Sequence, residues 1–506
     1  ARGTGFSVDP GISSNTIFGK HNLGVLFGGT LNTSSASSSI QTGVGYSDDY
    51  LMNSINNATT TNSQDSYTQY KYAGLYARLS YNYDGKYVVN LNARRDGSSR
   101  FAPGRQYGNF GAIGVAWIAS EEPWLKKLLP EAMSFVKFRG SYGLTGSDGV
   151  GDYQYLSLWT SVISYNRLPL YDDEQVYAPY NPPNQVYQWQ TDKKLEAAIE
   201  LGFLQDSRLV LSVSHYRNRA SNQIIDYPLG YYTGFSKVIT NMPANIENSG
   251  WEFGVNGRLI STQKLNWSAS FNIGINKNKL LSYPGLDKSP YANLYIIGKP
   301  LSADFKLHYT GISPLTGEYT FEDYDGDGLS YAGSAKGGGD TYVAVDRAPK
   351  FSGGFGTTVS YGTLSVSLFF NYTKQLGENL YSRLAMQSAE LNNNQPKEIF
   401  NNRWQKPGDI ARYPALTTRF KQSNANFSQS DGIFTDGSYL RLNNVNISWS
   451  LPQRWLSRVK LKNCALTFST QNLFVITRYK GMDPELQNFG GMPPTKVINT
   501  GLSFTF

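Results

Sequence analysis

The chain has 506 residues, of which 17% are charged and 14% aromatic, and a formal net charge of +8. Its mean hydropathy of −0.40, with no apolar run near the ~20 residues a spanning helix needs, excludes a helical membrane bundle. It does not exclude a membrane β-barrel, in which lipid-facing and lumen-facing residues alternate and average out. Scattered rather than clustered Lys and Arg argue against a nucleic-acid face, and a lone cysteine, Cys464, rules out an internal disulfide.

Period-two alternation predicts about fourteen strands. They fall at 15–30, 67–83, 86–98, 108–120, 134–145, 191–204, 207–226, 245–260, 265–280, 351–361, 363–375, 438–450, 461–475 and 496–506. In the second and third, Ala73, Leu75, Ala77, Leu79, Tyr81 and Tyr83 share one face, as do Tyr87, Val89, Leu91 and Ala93. Asn90, Asn92 and Arg94 point the other way. Between these runs, Asp84-Gly85 is the pair that type I′ hairpin turns favour. Further on, Leu265, Trp267, Ala269, Phe271, Ile273 and Ile275 alternate with Asn and Ser, and Leu364, Val366, Leu368, Phe370 and Tyr372 form another such face. The faces of 108–120 and 134–145 are ambiguous. Cys464 is read as a small apolar residue on the strand that carries Leu466 and Phe468.

The connections alternate short and long. Short ones fall at 84–85, 205–207, 261–264 and 361–362; long ones at 31–66, 146–190, 227–244, 281–350, 376–437 and 476–495. Tight turns at one end and long loops at the other are the pattern of an outer-membrane barrel, with short periplasmic turns and long extracellular loops. In lipid every backbone N–H and C=O must pair within the protein, so strands span only as a barrel. Tyr81, Tyr83 and Tyr87 flank a short turn, where an interfacial aromatic girdle belongs. The last strand carries Ile498, Leu502, Phe504 and Phe506 on one face. The fold class predicted is therefore all-β, a transmembrane antiparallel barrel.

Several stretches, in order, carry a family resemblance: YNYDGKYVVNLNARRDGSSRF (81–101), WIASEEPWLK (117–126), VKFRGSYGLTGSDGVGDYQY (136–155), NIENSGWEFGVNG (245–257), GEYTFEDYDGDG (317–328), DRAPKFSGGFGTTVSYG (346–362), SYLRLNNVNISWSLP (438–452) and STQNLFVITRYKGMDPE (469–485). Together they resemble the barrel of SusC/RagA-like TonB-dependent outer-membrane transporters. The resemblance implies a barrel of about 22 strands around an N-terminal plug. Residues 1–506 are accordingly expected to be the C-terminal part of that barrel, with the plug, the TonB-contacting segment and the first strands outside this chain. It also implies import of an oligosaccharide or peptide nutrient, a SusD-like surface lipoprotein partner, the TonB complex as energy source, contact with outer-membrane lipid and lipopolysaccharide, and paired transporter–lipoprotein units. A scaffold within a larger surface complex and a passive porin are the competing readings.

Signatures of an enzyme are lacking. The three histidines, His21, His215 and His308, have no zinc-ligand spacing, and neither a nucleophile elbow nor a Walker loop occurs. His215 is read as an interfacial or solvated residue, and the charges of Arg95-Asp96-Gly97-Ser98-Ser99-Arg100 as a turn staple. Asp323, Asp325 and Asp327, with Gly328, match positions 1, 3, 5 and 6 of a calcium loop, but position 12 is Ser334 rather than a bidentate Glu. These three carboxylates are the candidate metal ligands, for Ca²⁺. The long loops offer Tyr165, Tyr171, Tyr177, Tyr180, Tyr187 and Trp189 as candidate faces for a ligand.

Overall fold

A computed structural model describes all residues except 162–169, 173, 332, 334–338, 387–393, 458–460, 488–490 and 506. Among the described residues the main sheet has sixteen strands. They are β1 (Arg2–Val8), β2 (Gly11–Phe18), β3 (His21–Val44), β4 (Thr60–Tyr83), β5 (Tyr87–Ser98), β6 (Tyr107–Ile118), β7 (Met133–Ser147) and β8 (Gln190–Phe203). The remainder are β9 (Leu209–Ser221), β10 (Asn245–Ser261), β11 (Leu265–Ser282), β12 (Phe351–Tyr361), β13 (Leu364–Lys374), β14 (Tyr439–Ser450), β15 (Asn463–Thr477) and β16 (Val497–Thr505). From β3 onward each strand is the hydrogen-bonded neighbour of the next, and β1 and β2 both pair with β3. None of the described helices is long and apolar enough to cross a membrane.

Two compact units divide the chain. The first comprises Ala1–Ile118, Arg139–Ala197 and Asn218–Ile246. In it the register brings the apolar positions of successive strands opposite one another: Val25↔Leu79, Leu79↔Leu91 and Leu91↔Ile113, with Tyr81↔Val89 and Val89↔Val115 alongside. These side chains do not enter a core. Val25, Phe27, Leu75, Leu91, Ile113 and Val115 are all exposed. A one-residue slip would move the whole set to the other face, so this register is what builds a continuous apolar surface. The Asp84-Gly85 turn has positive φ at both residues, and Lys86 N–H donates to the Tyr83 carbonyl at 2.9 Å. Asp84 also receives Lys20 Nζ at 3.0 Å and Lys86 Nζ at 3.2 Å. Those two ammonium groups hold the Asp84 carboxyl below its ordinary range.

The second unit comprises Ala119–Phe138, Ala198–Arg217 and Glu247–Phe506. Here Trp267↔Val359 and Phe271↔Phe355 continue the pattern, followed by Val359↔Val366, Val366↔Ile447, Ile447↔Phe468 and Leu466↔Leu502. Trp267, Phe271, Phe355, Val359, Leu466, Phe468 and Leu502 are again exposed. The alternate positions are small and polar. Ser268, Ser270, Thr358, Ser367, Asn444 and Asn446 line a concavity of about 510 Å³.

Four sequence expectations need correction. The segment 15–30 is the hairpin β2–β3, turning at Gly19-Lys20, where Gly19 has φ +58°. β1 and β2 pair with different stretches of β3 and are one strand interrupted at Asp9-Pro10, Pro10 having no N–H to give. Counted that way, the sheet has fifteen positions rather than fourteen. The loop expected at 31–66 is largely strand, because the Ser- and Thr-rich run 31–44 pairs with 60–73, residue by residue, up to Val44↔Thr60. Such residues tolerate a strand but carry no apolar alternation to announce it. The segment 207–226 breaks at Asn222, whose φ of +55° separates β9 from a second hairpin, Gln223–Pro228 with Lys237–Met242.

Candidate functional site: an apolar face and a fastened loop end

The short-turn end carries aromatic side chains in contact. Phe18 stacks on His21 at 4.9 Å, His21 lies 4.9 Å from Tyr83, and His21 Nδ1 is 2.7 Å from the Tyr81 hydroxyl. In the second unit His215 lies 4.7 Å from the half-exposed Trp251. Cys464 is a buried free thiol opposite Phe504 on β16. Ile498 and Leu502 share that strand's exposed face; Phe506 lies outside the described residues.

The opposite end is fastened by polar knots. In the first unit, Asp148 accepts hydrogen bonds from Tyr70 Oη at 2.8 Å and Ser98 Oγ at 2.7 Å. Arg100 Nε reaches Asp152 at 2.9 Å, and its guanidinium lies 4.4 Å from the Tyr70 ring centre. Beneath lies a cluster of Phe101, Val150, Tyr187 and Trp189. Tyr187 donates to the Arg100 carbonyl at 2.7 Å, and Trp189 Nε1 to that of Gln106 at 3.0 Å. Burial pushes the Tyr187 phenol up to about 12. Two stretches separated by about fifty residues, DGSSRF and GSDGVGDY, are thus one structural unit. Sequence reading missed this. It treated the charges of 95–100 as a local staple, whereas Arg100 pairs across to Asp152. Tyr187 and Trp189, offered as ligand faces, are packing residues. Tyr177 is exposed; Tyr165 and the side chains of Tyr171 and Tyr180 lie outside the described residues.

In the second unit Arg441 on β14 is clamped by Asp483. Nη2 lies 2.9 Å from Oδ1 and 2.7 Å from Oδ2, and Nε is 3.3 Å from Glu485 Oε2. The loops here fold rather than trail. Two short antiparallel pairs form here, the hairpin Tyr309–Ile312 with Tyr319–Phe321 and, on either side of it in sequence, Ala303–Lys306 with Val343–Asp346. The ring of Tyr319 stacks on Phe427 at 3.9 Å. His308 Nδ1 and Tyr309 N–H both meet Asp431, at 2.9 and 2.8 Å.

The candidate metal ligands Asp323, Asp325 and Asp327 do converge. One oxygen of each lies within 4.8 Å of the others, on the exposed surface. Asp323 accepts from Gly326 N–H and Gly328 N–H, both at 2.8 Å, and Asp327 from Leu329 N–H at 2.8 Å. Gly326 and Gly328 have φ of +77° and +84°, the backbone such a sharp loop demands. Partial desolvation raises the Asp325 carboxyl above its ordinary value, with repulsion from Asp327, Asp340 and Asp323 adding to it. The buried Asp340 closes the loop, accepting from Tyr324 N–H at 2.7 Å and Tyr331 N–H at 2.9 Å. Ser334 lies outside the described residues.

Exposed apolar ladders on one face, polar residues on the other and a knotted loop end describe strands that meet lipid. The family model for the TonB dependent receptor-like β-barrel matches residues 2–473. The chain belongs to this family. Among its relatives, TonB-dependent receptor P3 of Formosa agariphila is 27% identical over 98% of this chain and 52% of its own length. TonB-dependent receptor SusC of Bacteroides thetaiotaomicron is 24% identical over 85% of this chain and 43% of its own. The chain spans about half the length of the curated relatives it matches. A solved structure of the RagAB peptide transporter superposes with a TM-score of 0.84 at 22% identity, covering 100% of this chain and 56% of that one. The receptor barrel is thus of the SusC/RagA type, its strands cross the outer membrane, and the exposed ladders are its lipid face.

Proposed function

We propose that this protein is the C-terminal barrel part of an importer that carries an oligosaccharide or peptide nutrient across the outer membrane by a TonB-dependent route, with a SusD-like surface lipoprotein as partner. The observation that supports this most is the pairing of a lipid-facing apolar ladder with loops that fold on themselves at one end. The barrel is thereby anchored in lipid while presenting an ordered surface to a ligand or a cap. The plug and the TonB-contacting segment belong, on this reading, to the same polypeptide, N-terminal to these residues. Specificity then resides in the loops, and the polar small-residue face offers a hydrated path.

The test is uptake by the intact protein in its own outer membrane. Loss of uptake on deletion of tonB, with a lipoprotein co-purifying, is the expected result. TonB-independent flux would favour a porin. A stable assembly with further surface proteins and no uptake would favour a scaffold.

The reading extends to Ca²⁺ at Asp323, Asp325 and Asp327. Three converging carboxylates offer a hard cation the oxygen donors it takes, and the cation would relieve their mutual repulsion. Binding would stiffen the turn formed by residues 323–329. Terbium luminescence sensitised by Tyr324 reads it: the signal should be lost in D325N/D327N, and a signal that survives both changes would remove the site.

A further inference from the structure

Three strands of the second unit end their oily faces in the same way. On β11 the lipid-facing run from Leu265 to Ile275 is followed by Lys277 and Lys279. On β13 the run from Leu364 to Tyr372 is followed by Lys374, and on β15 the exposed Phe474 and Ile476 are followed by Arg478. All three strands run from a short turn towards the loop end. Lys374 lies ten residues beyond Leu364. With a rise of about 3.3 Å per residue and a tilt of about 40°, that is a height of about 25 Å, the whole apolar band of such a barrel. These cations therefore stand where acyl chains give way to headgroups.

A groove of about 410 Å³ opens at that level, lined among others by Phe351, Tyr372, Lys374, Asp436, Ile476 and Arg478. Its apolar wall is fixed in place. The Tyr372 hydroxyl donates to the Asn272 carbonyl at 2.8 Å, which holds the ring across Gly353, where a Cβ would lie 2.5 Å from the hydroxyl oxygen. Phe271 stacks on the same ring at 5.8 Å, and Phe351 meets it edge-on at 6.4 Å. Phe351 is directly opposite Lys374 in the register. Lys374 Nζ lies 2.9 Å from Asp436 Oδ2, with both side chains nearly half-exposed, so water screens that pair. Arg478 is exposed and forms no ion pair among the described residues. An apolar wall beneath a cationic rim fits an amphiphile whose anionic head sits directly above its acyl chains. Guanidinium groups match phosphate oxygens in particular, because they donate two parallel hydrogen bonds.

We infer that this groove binds lipid A, the phosphorylated glycolipid that anchors lipopolysaccharide, with Arg478 and Lys374 on a phosphate and Phe351, Tyr372 and Ile476 against an acyl chain. The long loops face outwards, so the groove opens on the leaflet that lipopolysaccharide occupies rather than on the phospholipid one. The inference holds whether the barrel imports, leaks or scaffolds. The test is native mass spectrometry of the intact protein, released from detergent after incubation with bisphosphorylated lipid A, with the same lipid A stripped of phosphate, or with phosphatidylglycerol. Phosphorylated lipid A should be retained best. R478Q and K374Q should each weaken its retention roughly 5-fold, the value of one cation at an anionic lipid surface. D436N, which takes the carboxylate out of the groove, should strengthen it by a similar factor, whereas a purely structural Lys374–Asp436 pair predicts a loss. K462Q, just before β15 at its short-turn end, removes the same charge and should change nothing. Heat-modifiable migration on gels shows that each variant is folded. Equal retention of phosphate-free lipid A or of phosphatidylglycerol, a loss in K462Q as large as in R478Q, or weaker retention in D436N would each overturn the inference.

Discussion

Arg441 and Asp483 form a buried two-pronged ion pair, their side chains 4% and 6% exposed, that ties strand β14 to the loop after β15. A buried pair of this kind is weak evidence for net stability, because desolvating two charges offsets much of their attraction. Breaking it is another matter. Removal of Arg441 strands the Asp483 carboxylate, at a cost of about 3–5 kcal/mol, whereas removal of Asp483 leaves Arg441 only the half-exposed Glu485 carboxylate at 3.3 Å. Both D483L and R441M should therefore lower the yield of folded barrel, read as heat-modifiable migration on gels. The double change R441M/D483L should recover part of the loss. If the double variant is as poor as the sum of the singles, the pair is not the coupling element.

Leu91 and Asn92 are neighbours on β5 with opposite duties. Leu91 sits in the exposed ladder between Leu79 and Ile113. An arginine there should cost about 2–4 kcal/mol if it lies near the bilayer midplane, whereas one at Asn92 faces water. L91R should assemble poorly and N92R almost normally. Equal behaviour of the two would contradict the assignment of the lipid face.

Asp148 is the hub of the first-unit knot, holding Tyr70 and Ser98. D148A leaves both hydroxyls without that acceptor and frees the turn that positions Val150 over Phe101 and Trp189. Faster proteolytic cleavage between 148 and 158 is expected, with the barrel's heat-modifiability unchanged, because the knot lies beyond the spanning ladders. Cleavage at the native rate would show that the apolar cluster alone fixes this loop.

The His308–Asp431 contact should respond to pH. The hydrogen bond to Asp431 raises the imidazole above its ordinary value of 6.5, partial desolvation opposing it and the Asp431 and Glu322 charges assisting. Because the folded value is raised, the contribution is complete below about pH 6.5 and is lost as pH rises through the folded value. Amide exchange at Tyr309, whose N–H binds Asp431, should speed up across that window beyond the intrinsic base-catalysed increase. In H308Q the excess should vanish. An excess that persists in H308Q would place the titrating group elsewhere.

Much of this protein was legible in its sequence for a simple reason: a strand between lipid and water must alternate. The runs from Ala73 to Tyr83 and from Leu265 to Ile275 declared both their conformation and their faces, and the positive-φ pair Asp84-Gly85 declared its turn. The β3–β4 extension beyond Leu31 was not legible, because Ser and Thr on both faces leave no period to read. The three aspartates of 323–327 were visible because their spacing is local, and the structure does bring them together. Asp148 with Ser98 and Arg441 with Asp483 were not visible. Each joins residues separated by 42 positions or more, and nothing in periodicity ranks one distant carboxylate or phenol over another. Local sequence set the strands, their turns and the face that meets lipid, since those follow from side-chain alternation and backbone sterics. Which loops fasten to which was decided by strand register and loop packing, which fix distances that no local pattern encodes.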